Sequence, residues 1–178
     1  FKEFKIKLKL RFPMFQFCKE EKAILELSHD LDYIKKTPAL IIKQTAFNSF
    51  NFLKKLSLKS FNKLFNFAFS KSNYWNFDYW REVESQYNFK SIFYIYSKIN
   101  SGICENILDP SYNIKKNKKL ICKLNEIYSD GWKIGLHGSY FSYNNFYLLK
   151  QEKKQLEKLL EFSITKNRQH WLNYDESL

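Results

Sequence analysis

The stretch Trp132-Lys133-Ile134-Gly135-Leu136-His137-Gly138-Ser139-Tyr140 is the strongest indication of architecture in this chain of 178 residues. The run 132–136 is short and mostly apolar, which predicts a buried strand, and polar residues follow the end of that strand. An amphipathic helix is predicted before the strand over residues 116–128, and the pair Asp130-Gly131 indicates a turn between them. A second helix is predicted after it over residues 146–162. A strand with a helix on either side is typical of a parallel β/α unit.

The rest of the chain continues this alternation. Further strands are predicted over residues 4–10, 23–27, 91–96 and 163–168. Further helices are predicted over residues 38–69 and 77–87, the first opening with Pro38. Alternating strands and helices predict the α/β class, with a parallel sheet or a partial (β/α) barrel. Because no linker or internal repeat interrupts the pattern, we expect residues 1–178 to form a single domain.

All three histidines of the chain follow predicted strands, and two aspartates accompany the first of them: His29, Asp30, Asp32, His137 and His170. In a β/α barrel the loops at the carboxyl ends of the strands build the active site. A catalytic zinc takes about three His or carboxylate ligands and keeps one position open. The sequence therefore indicates a metal centre. An Asx turn or a helix N-cap at Asp30 and Asp32 is the structural alternative, and the spacing alone leaves it open.

Three motifs carry a resemblance to a known family. They are Ser28-His29-Asp30-Leu31-Asp32-Tyr33, Gly131-Trp132-Lys133-Ile134-Gly135-Leu136-His137-Gly138-Ser139-Tyr140 and Arg168-Gln169-His170-Trp171-Leu172. In this order they resemble motifs of the polysaccharide deacetylase family (carbohydrate esterase family four). The nearest similarity is to a branch with T-H-D-V-D-Y, E-I-G-L-H-x-S-Y and R-x-H-Y-L. Residues 79–96 also resemble the helix and second strand of that family, so the resemblance covers roughly residues 21–172.

The resemblance implies a distorted (β/α) barrel that hydrolyses N-acetyl groups on a carbohydrate, such as an amino sugar. It also implies a divalent metal, for which zinc is the expected ion. By motif position, Asp30 matches the catalytic base and Asp32 the metal-binding carboxylate. His137 matches the first metal histidine, and Arg168 matches the arginine that orients the base.

The chain departs from the family pattern at two points. The commoner motif has a second histidine four residues after the first, where this chain has Phe141, and we hypothesise that His170 supplies the missing metal ligand. Tyr140 and Trp171 are expected to contact the substrate, with Tyr140 or the backbone N–H groups after His137 stabilising an oxyanion. The family's general-acid histidine and later strands belong to a C-terminal half beyond these residues, so we expect an N-terminal partial domain. The alternative function is therefore a catalytically weak or inactive carbohydrate-binding fragment of the same fold.

Composition narrows the remaining classes of function. The net charge of +12 would suit a nucleic-acid binder, but only three of the 30 basic residues are arginine, so no nucleic-acid partner is expected. No apolar run is long enough for a transmembrane helix, and no secretory signal core is visible, which leaves the location open with the cytoplasm favoured. No phosphate-binding loop or nucleophile elbow is present. Three cysteines without CxxC spacing predict buried free thiols.

Overall fold

A computed structural model describes residues 25–55, 62, 66–67, 74–99 and 102–175 of the chain. The strand predicted over residues 4–10 lies outside these ranges. Within them, one sheet contains four parallel strands: β1 (Ser28–Leu31), β2 (Ile92–Tyr96), β3 (Lys133–Gly138) and β4 (Asn167–Gln169). The strands lie side by side in chain order, and the sheet curls into half of a barrel. This confirms the α/β class and is compatible with a partial β/α barrel.

Five helices accompany the sheet in the described ranges: α1 (Pro38–Lys55), α2 (Phe77–Gln86), α3 (Ile103–Leu108), α4 (Lys118–Ser129) and α5 (Phe146–Leu160). Short 3₁₀ turns cover Ile114–Lys116, Tyr140–Asn144 and His170–Leu172. Helices α2, α4 and α5 confirm the predictions to within two residues at each end. Helix α1 confirms the first part of the predicted helix 38–69, most of whose remainder lies outside the described residues. Helix α3 was not predicted, because its six residues make fewer than two helical turns, too short a stretch to show a period.

The helices pack on the sheet through rows of apolar side chains. On α4 and α5 the buried positions recur every three or four residues, at Leu120, Leu124, Ile127, Leu148, Glu152, Leu156 and Leu160. Most of these leucine and isoleucine side chains share one core with Phe93 and Ile95 of β2 and Ile134 and Leu136 of β3. Every residue of β2 is buried, as expected for a central parallel strand covered on both faces. None of the described helices has the length and apolar character needed to cross a membrane.

Glu84 connects α2 to the sheet. One carboxylate oxygen lies 2.6 Å from Nε2 of His29, and the other accepts from Nε1 of Trp132 at 2.8 Å and from the backbone N–H of Ser91 at 3.1 Å. Burial alone would raise the pKa of Glu84, but these hydrogen bonds outweigh it and lower the pKa below its ordinary value. The His29 ring also stacks on Trp80, with 4.5 Å between ring centroids. His29 therefore faces the helices. The expectation that it joins the other histidines is wrong, because successive strand residues point to opposite faces.

Two strands lie further along the chain than predicted. β1 occupies Ser28–Leu31 instead of residues 23–27, because pairing with β2 begins where Ser28 meets Ile92, and Leu25 before it is 65% exposed. β4 occupies only Asn167–Gln169, at the end of the predicted 163–168. β3 continues through His137 to Gly138, so this histidine is part of the strand. Asp30, His137 and Arg168 are thus held within strands, whereas Asp32 and His170 directly follow them.

The prediction of buried thiols is wrong for the two cysteines in the described ranges, which are free and exposed. Cys104 lies on α3, a helix without buried residues. Cys122 lies on α4 outside the buried row of Leu120, Leu124 and Ile127. Cys18 lies outside the described residues.

Replacing Glu84 by Ala is expected to lower the free energy of unfolding by ~2–4 kcal/mol, because two buried N–H donors lose their acceptor. Equilibrium denaturation in urea measures the change. The control Glu82→Ala removes an exposed carboxylate from the same helix and should change stability by ~0.5 kcal/mol or less. Equal losses in the two variants would contradict the role of Glu84.

The lowered pKa of Glu84 also predicts a pH dependence. Because folding favours the ionised carboxylate, its stabilisation is present above the ordinary pKa of a carboxyl group and is lost as pH falls through the lowered value. Between about pH 7 and about pH 3, wild type should lose more stability than Glu84→Gln. Denaturation curves at several pH values measure the difference, and parallel losses would refute the prediction.

Candidate metal centre

Three side-chain atoms from three strand ends converge at one point. Oδ1 of Asp32 lies 3.3 Å from Nε2 of His137 and 3.6 Å from Nδ1 of His170, and the two nitrogens are 2.8 Å apart. Asp32 follows β1, His137 lies in β3 and His170 follows β4. The three residues expected to bind metal are therefore neighbours, although β2 separates β1 from the other two strands.

Backbone carbonyls determine which ring nitrogens face this point. Nδ1 of His137 lies 3.1 Å from the carbonyl oxygen of Arg168, and Nε2 of His170 lies 2.9 Å from that of Leu108. A carbonyl oxygen only accepts, so each ring must place its N–H there. A neutral imidazole has one N–H and one lone pair, so the two nitrogens that face each other both carry lone pairs.

The arrangement could hold a cation between its atoms. Oδ1 of Asp32 is buried and accepts no hydrogen bond from any described residue, so it adds a third unpaired acceptor. Burial lowers the pKa of His170, with Asp32 opposing and His137 reinforcing that effect, which disfavours a proton as the cation. Ligands at ~2.0–2.2 Å from a tetrahedral zinc lie ~3.3–3.6 Å from each other. The two distances to Asp32 fit this geometry, and the two nitrogens would have to separate by ~0.5 Å. The donor set of one carboxylate and two imidazoles also suits zinc.

Asp30 is held beside the three ligands by Arg168. Nη1 of Arg168 donates to Oδ1 of Asp30 at 2.9 Å, and Nη2 donates to Oγ of Ser28 at 2.8 Å. The guanidinium lies over the ring of Tyr94, 4.5 Å from its centroid. Gly135 makes room for that ring, because a Cβ there would lie 2.6 Å from two of its carbon atoms. The contact expected of an arginine that orients the base is therefore present.

A cavity of about 570 Å³ opens onto these residues. Its wall includes Asp30, Asp32, His137, His170 and Trp171 among the predicted site residues. Trp171 is 64% exposed, and its Nε1 donates to the carbonyl of Leu108 at 3.3 Å, which fixes the indole at the edge of the cavity. This position suits the substrate contact expected of Trp171.

Tyr140 does not line the cavity. Its backbone N–H donates to Oδ1 of Asp109 at 2.6 Å, and the N–H of Ser139 donates to Oε2 of Glu152 at 3.2 Å. Because these two donors are engaged by buried carboxylates, they cannot also stabilise an oxyanion. The expected oxyanion role is therefore not open to these two N–H groups, and the substrate contact expected of Tyr140 stays a prediction.

Sequence reasoning missed three groups that surround the site. The carbonyl of Leu108 accepts from His170, and the carboxylate of Asp109 accepts from the backbone N–H of Tyr140. The only indication of either group in the sequence was the turn pair Asp109-Pro110. Lys43 of α1 lines the cavity, although a lysine in a helix normally indicates a solvated face. Burial lowers the pKa of Lys43, while Asp32 and Asp109 act in the opposite direction.

Zinc content should depend on the three converging residues. Wild type equilibrated with zinc and desalted is expected to hold about one ion per chain, and Asp32→Ala, His137→Ala and His170→Ala should each lose most of it. The control His29→Gln changes the third histidine, which faces α2, and should retain zinc. Elemental analysis by mass spectrometry measures the content. Unchanged zinc in His170→Ala would refute the ligand set.

Glu152 should make stability fall with rising pH. Burial raises its pKa to about 7. A carboxyl group with a raised pKa favours folding most below its ordinary value near ~4.3, and this contribution is lost as pH rises through about 7. Relative to Glu152→Gln, wild type should therefore lose up to ~3 kcal/mol between these limits. Urea denaturation of both proteins across this range measures the difference, and a constant difference would contradict the prediction.

Comparison with known proteins assigns no relative to this chain. No protein-family model, no curated protein and no solved structure matches it. The similarity to polysaccharide deacetylases is therefore a resemblance of short motifs, and any function must be argued from the residues of the site.

Proposed function

We propose that the chain is a zinc-dependent hydrolase of the polysaccharide deacetylase type, which removes N-acetyl groups from a carbohydrate. One observation carries the proposal. Three possible ligand atoms, on Asp32, His137 and His170, lie within 3.6 Å of one another, and Asp30 lies in the same cavity. A metal next to a free carboxylate is an arrangement that supports hydrolysis of an amide by water.

The metal and the chain would contribute different parts of the chemistry. Zinc, when bound, supplies a Lewis acid that polarises a carbonyl group and makes water more acidic. The chain holds it through one carboxylate and two imidazoles, which are fixed by the carbonyls of Arg168 and Leu108. Such outer hydrogen bonds set the orientation of metal-binding histidines.

Asp30 is the group that would accept the proton from water. Arg168 donates to its Oδ1, and its Oδ2 accepts no hydrogen bond from the described residues. A general base needs one such free oxygen held in a defined position. Because Arg168 is itself fixed by Ser28 and Tyr94, it restrains Asp30 without consuming both oxygens.

The cavity wall suits a sugar better than a purely apolar ligand. Tyr33, Phe47 and Trp171 provide aromatic surfaces, and Gln44 and Gln169 provide amides. Ligand sites commonly combine aromatic walls with a few polar groups that fix orientation. A carbohydrate offers both apolar C–H faces and hydroxyl groups to such a wall.

A catalytically weak carbohydrate-binding fragment is the second candidate. His29 faces the helices, and the other two histidines are the proposed ligands, so the described residues offer no histidine as general acid. Phe141, at the position of the family's second metal histidine, lies in the turn Tyr140–Asn144 and does not line the cavity. Without an acid, departure of the amine would be slow.

Acetate release from oligomers of N-acetylglucosamine tests the two candidates. Zinc-loaded wild type should release acetate, and Asp30→Asn should lower kcat by ~10²–10⁴-fold while retaining zinc. The control Asp78→Asn removes an exposed carboxylate on α2 and should leave the rate unchanged. Sugar binding without acetate release from wild type would reject the hydrolase and support the binding fragment.

A further inference from the structure

Lys43 is the one lysine or arginine among the described residues that line the cavity of the metal centre. It projects from α1, is half-buried and shares the wall with Asp32 and His170. The other nearby cation, Arg168, is already paired with Asp30. Any ligand in this cavity would therefore meet the charge of Lys43.

The ammonium group of Lys43 has no hydrogen bond or ion pair with the described residues. It is partly withdrawn from water, and only the more distant charges of Asp32 and Asp109 compensate it. A cation bound by Asp32 would cancel much of that compensation. An anion within the cavity would stabilise a half-buried ammonium in this position.

The amide nitrogens of the two glutamines in the wall already donate to protein acceptors, which leaves their oxygens, and an oxygen accepts from a hydroxyl group and does not bind an anion. The amide nitrogen of Gln44 donates to Asn48 at 3.0 Å, and that of Gln169 donates to Oγ of Ser142 at 2.9 Å. The site thus offers an anion a single flexible ammonium. A phosphate is usually bound by several backbone N–H groups or by arginine, whereas one lysine is sufficient for a singly charged carboxylate.

We propose that the substrate is an acidic N-acetylated sugar, whose carboxylate is bound by Lys43 while its acetamide lies at Asp30 and the metal ligands. The assignment of the acetamide rests on the proposed function. The role of Lys43 is to anchor and select the substrate, and it takes no part in the cleavage.

Isothermal titration calorimetry with two probes tests this role. N-acetylmuramic acid and N-acetylglucosamine differ by a lactyl ether that carries a carboxylate. Zinc-loaded wild type should bind the acidic probe at least about tenfold more tightly. In Lys43→Gln the ratio of the two affinities should fall to about one, and Lys43→Arg should retain part of it. The control Lys54→Gln removes the same charge from an exposed position of α1 and should keep the wild-type ratio.

Two results would overturn the anchor: a ratio near one in wild type, including failure to bind either probe, or a preference that survives in Lys43→Gln. Zinc content of Lys43→Gln should be no lower than in wild type, because lysine is not a ligand. Acetate measured in the same samples separates this inference from the proposed function. Acetate release without a preference for the acidic probe rejects the anchor alone, whereas a Lys43-dependent preference without acetate supports the anchor and rejects the hydrolase.

Discussion

The side chain of Arg168 crosses the concave face of the sheet from one edge strand to the other. It belongs to β4, yet it donates to Asp30 and Ser28 on β1. In a flat sheet, three strand spacings of ~4.8 Å would separate these edges by ~14 Å, which is beyond the reach of an arginine. The ion pair therefore exists only because the sheet curls. The same curl brings Asp32 to the two histidines, so the proposed base and the proposed metal ligands depend on one feature of the backbone.

Arg168 also links the two halves of the site through its main chain. Its carbonyl accepts the N–H of His137, while its guanidinium holds Asp30. A single residue thus determines which nitrogen of a metal ligand faces the cavity and where the carboxylate beside it lies. The carbonyl of Leu108 does the same for His170 from outside the sheet. Fixing the N–H groups in this way leaves the facing atoms as acceptors, which explains why the centre suits a metal better than a hydrogen-bond network.

The alternation of strands and helices could be predicted because the apolar residues of α4 and α5 recur at helical spacing, and because β2 and β3 are short apolar runs. The sequence also predicted Asp32, His137 and His170 as neighbours, because parallel strands present their carboxyl ends at one edge. The role of His29 was missed because its side of β1 depends on the strand's register, and β1 begins five residues later than expected. Lys43, Leu108 and Asp109 could not be found, because contacts made by a helix face or a loop carbonyl leave no periodic signal. The hydrogen bonds of the Ser139 and Tyr140 backbone could not be foreseen, because the carboxylates that accept them are distant in sequence.

Several costly features of the chain lie close to the candidate site. Asp109 and Glu152 are almost fully buried, and burial raises the pKa of both carboxyl groups. Trp171 and Leu172 have φ values of 60° and 54°, a left-handed backbone that costs ~1–2 kcal/mol per residue without glycine. On the opposite face of the sheet, α4 and α5 bury rows of apolar side chains, and this burial offsets the free energy that the strained and buried groups cost. Such features persist only where the surrounding structure fixes them. Here the buried carboxylates hold the backbone of Ser139 and Tyr140 after one candidate ligand, His137, and the strained turn follows the other, His170.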